Sequence, residues 1–230
     1  MFDFSSPELH DIWLNTLSWV PSDLQQRQFQ SLYELIIAGN QQFNLTRITD
    51  PQDFWEKHLW DSLRGIKPLL NLGGNGHNPQ IIDIGTGAGF PGFPVAISLI
   101  NSQVTLLDST RKKTAFLETI GPQIQLNNTQ VVTGRAEKIN QLRAHKHSYD
   151  VALIRAVASA PICAEYTLPF LKKDGLAILY RGQWSEEEHR DLEQFLAKIG
   201  AYIESIDSFS TPVSQGLRNC LYLRKIDAIE

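Results

Sequence analysis

Apolar and polar positions fall into two textures along the chain, divided near residues 71 to 80. Before the divide the spacing is helical. Ser5-x-x-Glu8 and Ser22-x-x-Gln25 read as capping boxes, and Asp50-Pro51 supplies an N-cap with proline at the first helical position. Three helices are predicted over residues 5 to 70. In the second, Leu24, Leu32, Leu35, Ile36 and Phe43 recur at roughly helical spacing, which gives that helix one face to bury. The divide itself, NLGGNGHNPQ, is rich in Gly, Pro and Asn and reads as a linker or long turn. We therefore expect an N-terminal helical region over residues 1–71 and a second region over residues 80–230, an architectural boundary that does not require two independent domains.

Beyond the divide, short β-rich runs alternate with helical ones, the pattern of a parallel sheet wrapped by helices. Strands are predicted at 81–84, 104–107, 130–132, 151–154 and 176–180, with helices after the first, second, fourth and fifth, the last over 185–199. Two late strands, 202–209 and 220–225, are joined by a loop holding Pro212 and Gly216 that is too short for a packed crossover helix. They predict an antiparallel hairpin at one edge of a mostly parallel sheet. The fold class expected is therefore α/β, doubly wound, with N-terminal helices added.

A chain of 230 residues with 42% hydrophobic and 20% charged content can bury a substantial core, which excludes whole-chain disorder. Its longest apolar runs are short or interrupted by Arg155 and Pro161, and MFDFSSPELH lacks a cationic start followed by an apolar run. The expectation is a cytoplasmic protein without membrane spans. A net charge of -4 argues against indiscriminate coating of nucleic acid, which runs on released counterions and needs excess Lys and Arg. Local basic patches remain at 111–113, 143–147, 172–173, Arg181 and 218–225. Cys163 and Cys220 lie far apart, with no C-x-x-C pair and no His at zinc spacing, so two buried thiols are expected and no metal site.

The candidate chemistry begins at IIDIGTGAGFPGF, residues 81 to 93. Read from Gly87, its letters satisfy the dinucleotide fingerprint G-x-G-x-x-G, but the turn starts at Gly85, directly off the strand, and Phe90 stands where the third dinucleotide glycine belongs. Counted from Gly85 the pattern is Asp83-x-Gly85-x-Gly87-x-Gly89, which resembles motif I of the class I S-adenosylmethionine-dependent methyltransferases. S-adenosylmethionine carries no phosphate, so the glycines serve to bring the backbone close to the ligand while Asp83 can face its cationic end. Asp108 ends the second strand, where dinucleotide and methyltransferase folds alike place an acid to accept from two ribose hydroxyls. Ala136 and Glu137 follow the third strand, where this fold meets the adenine ring, although Glu137 reads equally as a surface acid at a helix start. Arg155 closes the fourth strand, a costly place for a permanent charge unless it is paired or faces a cleft.

Together with NLT (44 to 46), H-x-x-D-S (His58, Asp61, Ser62), LLDS with a basic pair, RAE (135 to 137), RAVAS (155 to 159) and a late Arg218, these stretches resemble the RsmG family, also called glucose-inhibited division protein B. The likeness runs from about residue 44 to 224. It implies a class I methyltransferase fold and methyl transfer from S-adenosylmethionine to N7 of a guanine in 16S ribosomal RNA. It also implies cofactor contacts at Gly85, Phe90, Ala136, Glu137 and Arg155 and along Asp108, Ser109 and Thr110, beside Asp83 and Gly87 of the loop. His58, Arg111, Lys112, Arg181 and Arg218 are candidates for contact with small-subunit RNA or the 30S subunit, with His58 and Trp55 also readable as a wall near the cofactor or as core residues packed on the sheet. Two departures stand out: Ile154 precedes Arg155 where the family has Ser, and Arg181 replaces a Lys. N7 loses no proton on methylation, so no catalytic base is expected, and a monomer suffices. A nicotinamide-dependent dehydrogenase, a non-catalytic ribosome-binding module and a methyltransferase with another acceptor are the competing readings.

Overall fold

The structure, a computed structural model, describes residues 4–70 and 78–226. The centre of the predicted linker, residues 71–77, lies outside the described residues. Helix α1 (Pro7–Leu17) begins one residue later than its predicted capping box: Ser6, not Ser5, is the N-cap and accepts from the Leu9 amide. Pro7 is the reason, since it then occupies the first helical position, where a missing N–H costs nothing. Helix α2 (Asp23–Phe43) has the predicted Ser22–Gln25 box, and Gln25 also donates to the Ile97 carbonyl at 2.9 Å, pinning the helix end to the sheet-side layer. Its buried face runs through Phe29, Leu32 and Ile36, whereas Leu24 is 49% exposed. Eight residues carry a helix about 80° past two full turns, so Leu24 points away from the stripe it was grouped with.

Asp50 caps α3 (Pro51–Phe54) as predicted, accepting from the Gln52 and Asp53 amides. The third predicted helix is then a composite. A π-helical turn, Trp55–Trp60, is inserted before α4 (Asp61–Gly65), and a short α5 (Lys67–Leu70) follows.

Among the described residues seven strands form one sheet: β1 (Gln80–Ile84), β2 (Gln103–Asp108), β3 (Thr129–Thr133), β4 (Tyr149–Arg155), β5 (Leu171–Arg181), β6 (Ala201–Ser210) and β7 (Leu217–Lys225). Their order is β3-β2-β1-β4-β5-β7-β6, with the first five parallel and β7 antiparallel to both neighbours. The predicted edge hairpin is present. Helices α6 (Gly92–Ser98), α7 (Arg111–Gln123), α9 (Ala160–Thr167) and α10 (Glu186–Lys198) follow the strands as expected, and a single turn, α8 (Ala136–Ile139), follows β3. Strand order reverses between β1 and β4, and in such sheets ligands bind at the carboxyl edge of that reversal.

The N-terminal helices do not form a core of their own. Trp13, Phe29, Leu32, Phe54, Trp55, Trp60 and Leu63 share one buried cluster with Ile81, Leu106, Leu153 and Ile178 on one face of the sheet, while the opposite face packs on residues such as Ala160, Cys163, Leu192 and Leu196. The α4 backbone lies directly on two tyrosines: Tyr180 donates to the Ser62 carbonyl at 2.7 Å and Tyr222 to the Gly65 carbonyl at 2.9 Å. A Cβ at Gly65 would sit 2.3 Å from the Tyr180 ring, so glycine is required for the approach. Among the described residues no helix is long and apolar enough to cross a membrane.

Candidate active site

The glycine loop leaves β1 by hooking onto the end of β2, where the Gly85 and Thr86 amides both donate to the Leu107 carbonyl. Gly85, Gly87 and Gly89 take φ values of +70°, +60° and +94°, which L side chains adopt only under strain. Two acids hold the loop in that shape. Asp83 is buried at the strand end, and its Oδ2 accepts from Thr86 Oγ1 at 2.6 Å and the Gly92 amide at 2.8 Å, leaving Oδ1 buried without a partner. Burial pushes the Asp83 carboxyl up to about 6 despite those hydrogen bonds. Asp108 accepts from the Gly87 amide at 3.0 Å through Oδ2 and from the Thr110 amide at 2.8 Å through Oδ1, so it joins the loop to the start of α7.

Beside Asp108 is a cleft of about 170 Å³, lined by Ile84, Gly85, Leu107, Asp108, Ser109, Gly134, Arg135, Ala136, Glu137, Val157 and Tyr166. Five predicted cofactor residues meet there: Gly85, Asp108, Ser109, Ala136 and Glu137. Asp83, Gly87 and Thr110 act one step behind it through the loop. Val157 and Tyr166 were not singled out from the sequence. Val157 belongs to the quoted RAVAS stretch and reaches the cleft because Ala156 takes a left-handed φ of +55°, and a Cβ at Gly85 would lie 2.7 Å from its Cγ2. Tyr166 arrives from α9 and carried no sequence signal. The cleft is smaller than the sites that enclose a whole drug-sized ligand.

Arg155 is a hub and not an open cation. Its Nη1 donates to the Lys57 carbonyl at 2.9 Å and to Asp61 Oδ2 at 3.1 Å, and Nη2 donates to His58 Nδ1 at 3.2 Å. Because a guanidinium only donates, Nδ1 is the acceptor, and His58 must carry its proton on Nε2, which donates to Thr46 Oγ1 at 2.9 Å. Burial, then Arg155 and Lys57, hold the His58 pKa down at about 3, so the ring is neutral. It stacks on Phe90 with centroids 4.3 Å apart and planes 5° from parallel, and Phe54 meets Phe90 edge-on. The expected role of His58 as an RNA contact is corrected accordingly: both nitrogens and the ring face are taken up inside the protein. Trp55 is likewise fully buried, against Trp13, which is the packing alternative.

Arg181 also turns inward. Nη1 donates to the Ala158 carbonyl at 2.6 Å and Nη2 to Glu188 Oε1 at 3.2 Å, so it braces the RAVAS loop where an open RNA contact was expected. Cys163 shares that carbonyl, and burial pushes its thiol up, which removes it as a nucleophile. Arg111 and Lys112 are exposed in the first turn of α7, just after Asp108. Arg218 is partly exposed at the start of β7, with Nε 3.9 Å from Asp61 Oδ1. Among the described residues no group of three or more His, Cys, Asp or Glu is placed to hold a metal ion.

Known proteins with this arrangement are found by sequence and by structure. A family model described as rRNA small subunit methyltransferase G matches residues 25–217. A ribosomal RNA small subunit methyltransferase G of Nostoc punctiforme is 58% identical over 220 residues, covering 96% of this chain and 90% of the relative. One of Trichormus variabilis is 56% identical over 226 residues with the same two coverages. The solved structure of M. jannaschii TYW2 in complex with AdoMet shares the fold at a TM-score of 0.54 and 16% identity, covering 74% of this chain and 77% of that one. With relatives more than half identical across nearly its whole length, and the family pattern running from α2 to the start of β7, the chain belongs to the rRNA small subunit methyltransferase G family.

Proposed function

We propose that this chain transfers the methyl group of S-adenosylmethionine to N7 of a guanine in 16S ribosomal RNA. The observation that carries the reading is the Asp108 cleft at the strand reversal, walled in part by Gly85, where an added Cβ would lie 2.7 Å from Val157 Cγ2. The residues fit the donor: Asp108 keeps lone pairs for two ribose hydroxyls, Gly85 and Ala136 allow close approach, and the unpartnered Asp83 Oδ1 provides negative charge behind the loop. When bound, S-adenosylmethionine supplies an electrophilic methyl on sulfur, to which N7 forms a bond as the carbon–sulfur bond breaks and sulfur keeps the electron pair. The titratable groups at this edge suit an acceptor that sheds no proton. His58 is neutral with both nitrogens bonded, and Asp61 is tied to Arg155. Catalysis then rests on orientation, worth up to about 7 to 11 kcal/mol.

Arg111 and Lys112 support an RNA approach from the α7 side. They place positive charge at the positive end of a helix dipole, which costs helix stability and favours an anion such as a phosphate. The protein acts in this reading as a cytoplasmic monomer on rRNA or the 30S subunit. Radiolabelled methyl donor is supplied with undermethylated small subunits and, separately, with naked rRNA, and label is mapped by borohydride and aniline cleavage, which reports N7-methylguanosine. Folded protein that binds the donor yet labels neither substrate overturns the proposal in favour of a non-catalytic module.

A further inference from the structure

We propose that Arg218 selects guanine, donating from its guanidinium to O6 of the target base while N7 stays free for the methyl. This rests on the N7 reading above and adds to it the residue that tells guanine from adenine. Of the arginines that β4, β5 and β7 bring to this edge, Arg155 is engaged by a carbonyl, a carboxylate and an imidazole, and Arg181 by a carbonyl and a carboxylate. Among the described residues the Arg218 guanidinium makes one hydrogen bond, from Nη1 to the Leu217 carbonyl, and a long ion pair at 3.9 Å to Asp61. Its other N–H groups are available to a ligand, and 31% of the side chain is open to solvent.

Position follows from Asp61. One carboxylate is shared, with Oδ2 on Arg155 and Oδ1 facing Arg218, so Arg218 stands one side chain away from the arginine that closes β4. The π-helical turn fixes both. It carries His58 and leads into Asp61, and through Glu56 it holds the β6–β7 loop, whose Val213 and Ser214 amides donate to Glu56 Oε1 at 2.6 and 2.9 Å just before Arg218. Arg155 and Arg218 thus stand on either side of the shared Asp61 carboxylate, with Arg218 the more open of the two. Guanine presents acceptors at N7 and O6, whereas adenine presents an N6 donor that a guanidinium repels. Methylation consumes the N7 lone pair, so O6 is the atom left for recognition.

The test is a cycle between protein and base. Small subunits are reassembled with rRNA carrying 2-aminopurine, which keeps N7 and lacks O6, at the position that the labelling experiment maps. The ratio of kcat/KM for guanine over 2-aminopurine is measured in wild type and in Arg218→Ala, which cancels the intrinsic difference between the bases. The ratio is expected to fall about ten- to a hundredfold in the variant, the value of one charged hydrogen bond, with S-adenosylmethionine affinity unchanged. Where alanine turns over too slowly to measure, Arg218→Lys carries the ratio, with a smaller fall expected. An unchanged ratio, or activity lost together with cofactor affinity, overturns the assignment. Wild type that labels no N7 at all overturns the underlying reading instead.

Discussion

Asp83→Asn is expected to invert part of the pH dependence of stability in the ligand-free protein. In the fold, burial raises the Asp83 carboxyl from 3.8 to about 6, against the opposing hydrogen bonds from Thr86 and Gly92. A carboxyl with a higher pKa folded than unfolded binds its proton more tightly in the fold. Its contribution to stability is therefore fully present below about pH 3.8 and is lost as pH rises through about 6. A shift of about two units, at about 1.4 kcal/mol each, makes the loss about 3 kcal/mol. Asparagine keeps an acceptor for Thr86 Oγ1 and the Gly92 amide, so the loop stays tied, and it has no charge to desolvate. Chemical denaturation of both proteins, repeated from pH 4 to pH 8 without ligand, reads the difference directly. The variant should gain about 3 kcal/mol on wild type between about pH 4 and pH 6.5 and hold that gain above. A difference that does not change with pH would refute the account of Asp83 as an ionised carboxylate short of a partner.

Four further outcomes are expected. Binding of cationic S-adenosylmethionine should weaken as pH falls through about 6, by up to about tenfold per unit, as Asp83 takes up its proton, and calorimetry across pH 5 to 7 checks it. Asp108→Ala should weaken the same ligand about ten- to a hundredfold, since a hydrogen bond to a charged group is worth about 1.5 to 3 kcal/mol. Gly92→Ala should destabilise by about 1 to 3 kcal/mol in a denaturant titration, because the new Cβ would lie 2.1 Å from Leu106 Cδ2 and 2.9 Å from Asp83 Oδ2. The His58 ring resonances should show no titration above pH 5, because burial and the neighbouring cations hold its pKa at about 3.

The strands, the edge hairpin and the acid at the end of β2 were legible because each follows from short-range rules: alternation, turn residues and the position of a polar group after an apolar run. The same locality explains what was missed. Ser5 and Ser6 are equal as caps until Pro7 is placed, and Leu24 joins the apolar stripe only if the eye ignores its angle. His58 and Asp61, three apart, were expected on a helix, and that spacing does put them on one face. Nothing in the spacing says that the face meets Arg155, nearly a hundred residues later in sequence, through a π turn that no local preference marks. The linker at residues 71 to 80 separates two textures, yet the site is assembled across it: Glu56, His58 and Asp61 precede it, and Asp83, Arg155 and Arg218 follow. A change of texture along the chain therefore marks where the chain stops winding as helices and begins to build a sheet. Where chemistry occurs is decided by which charges must be buried together, and here one carboxylate, Asp61, must serve two arginines brought to it by strands that no N-terminal pattern foretells.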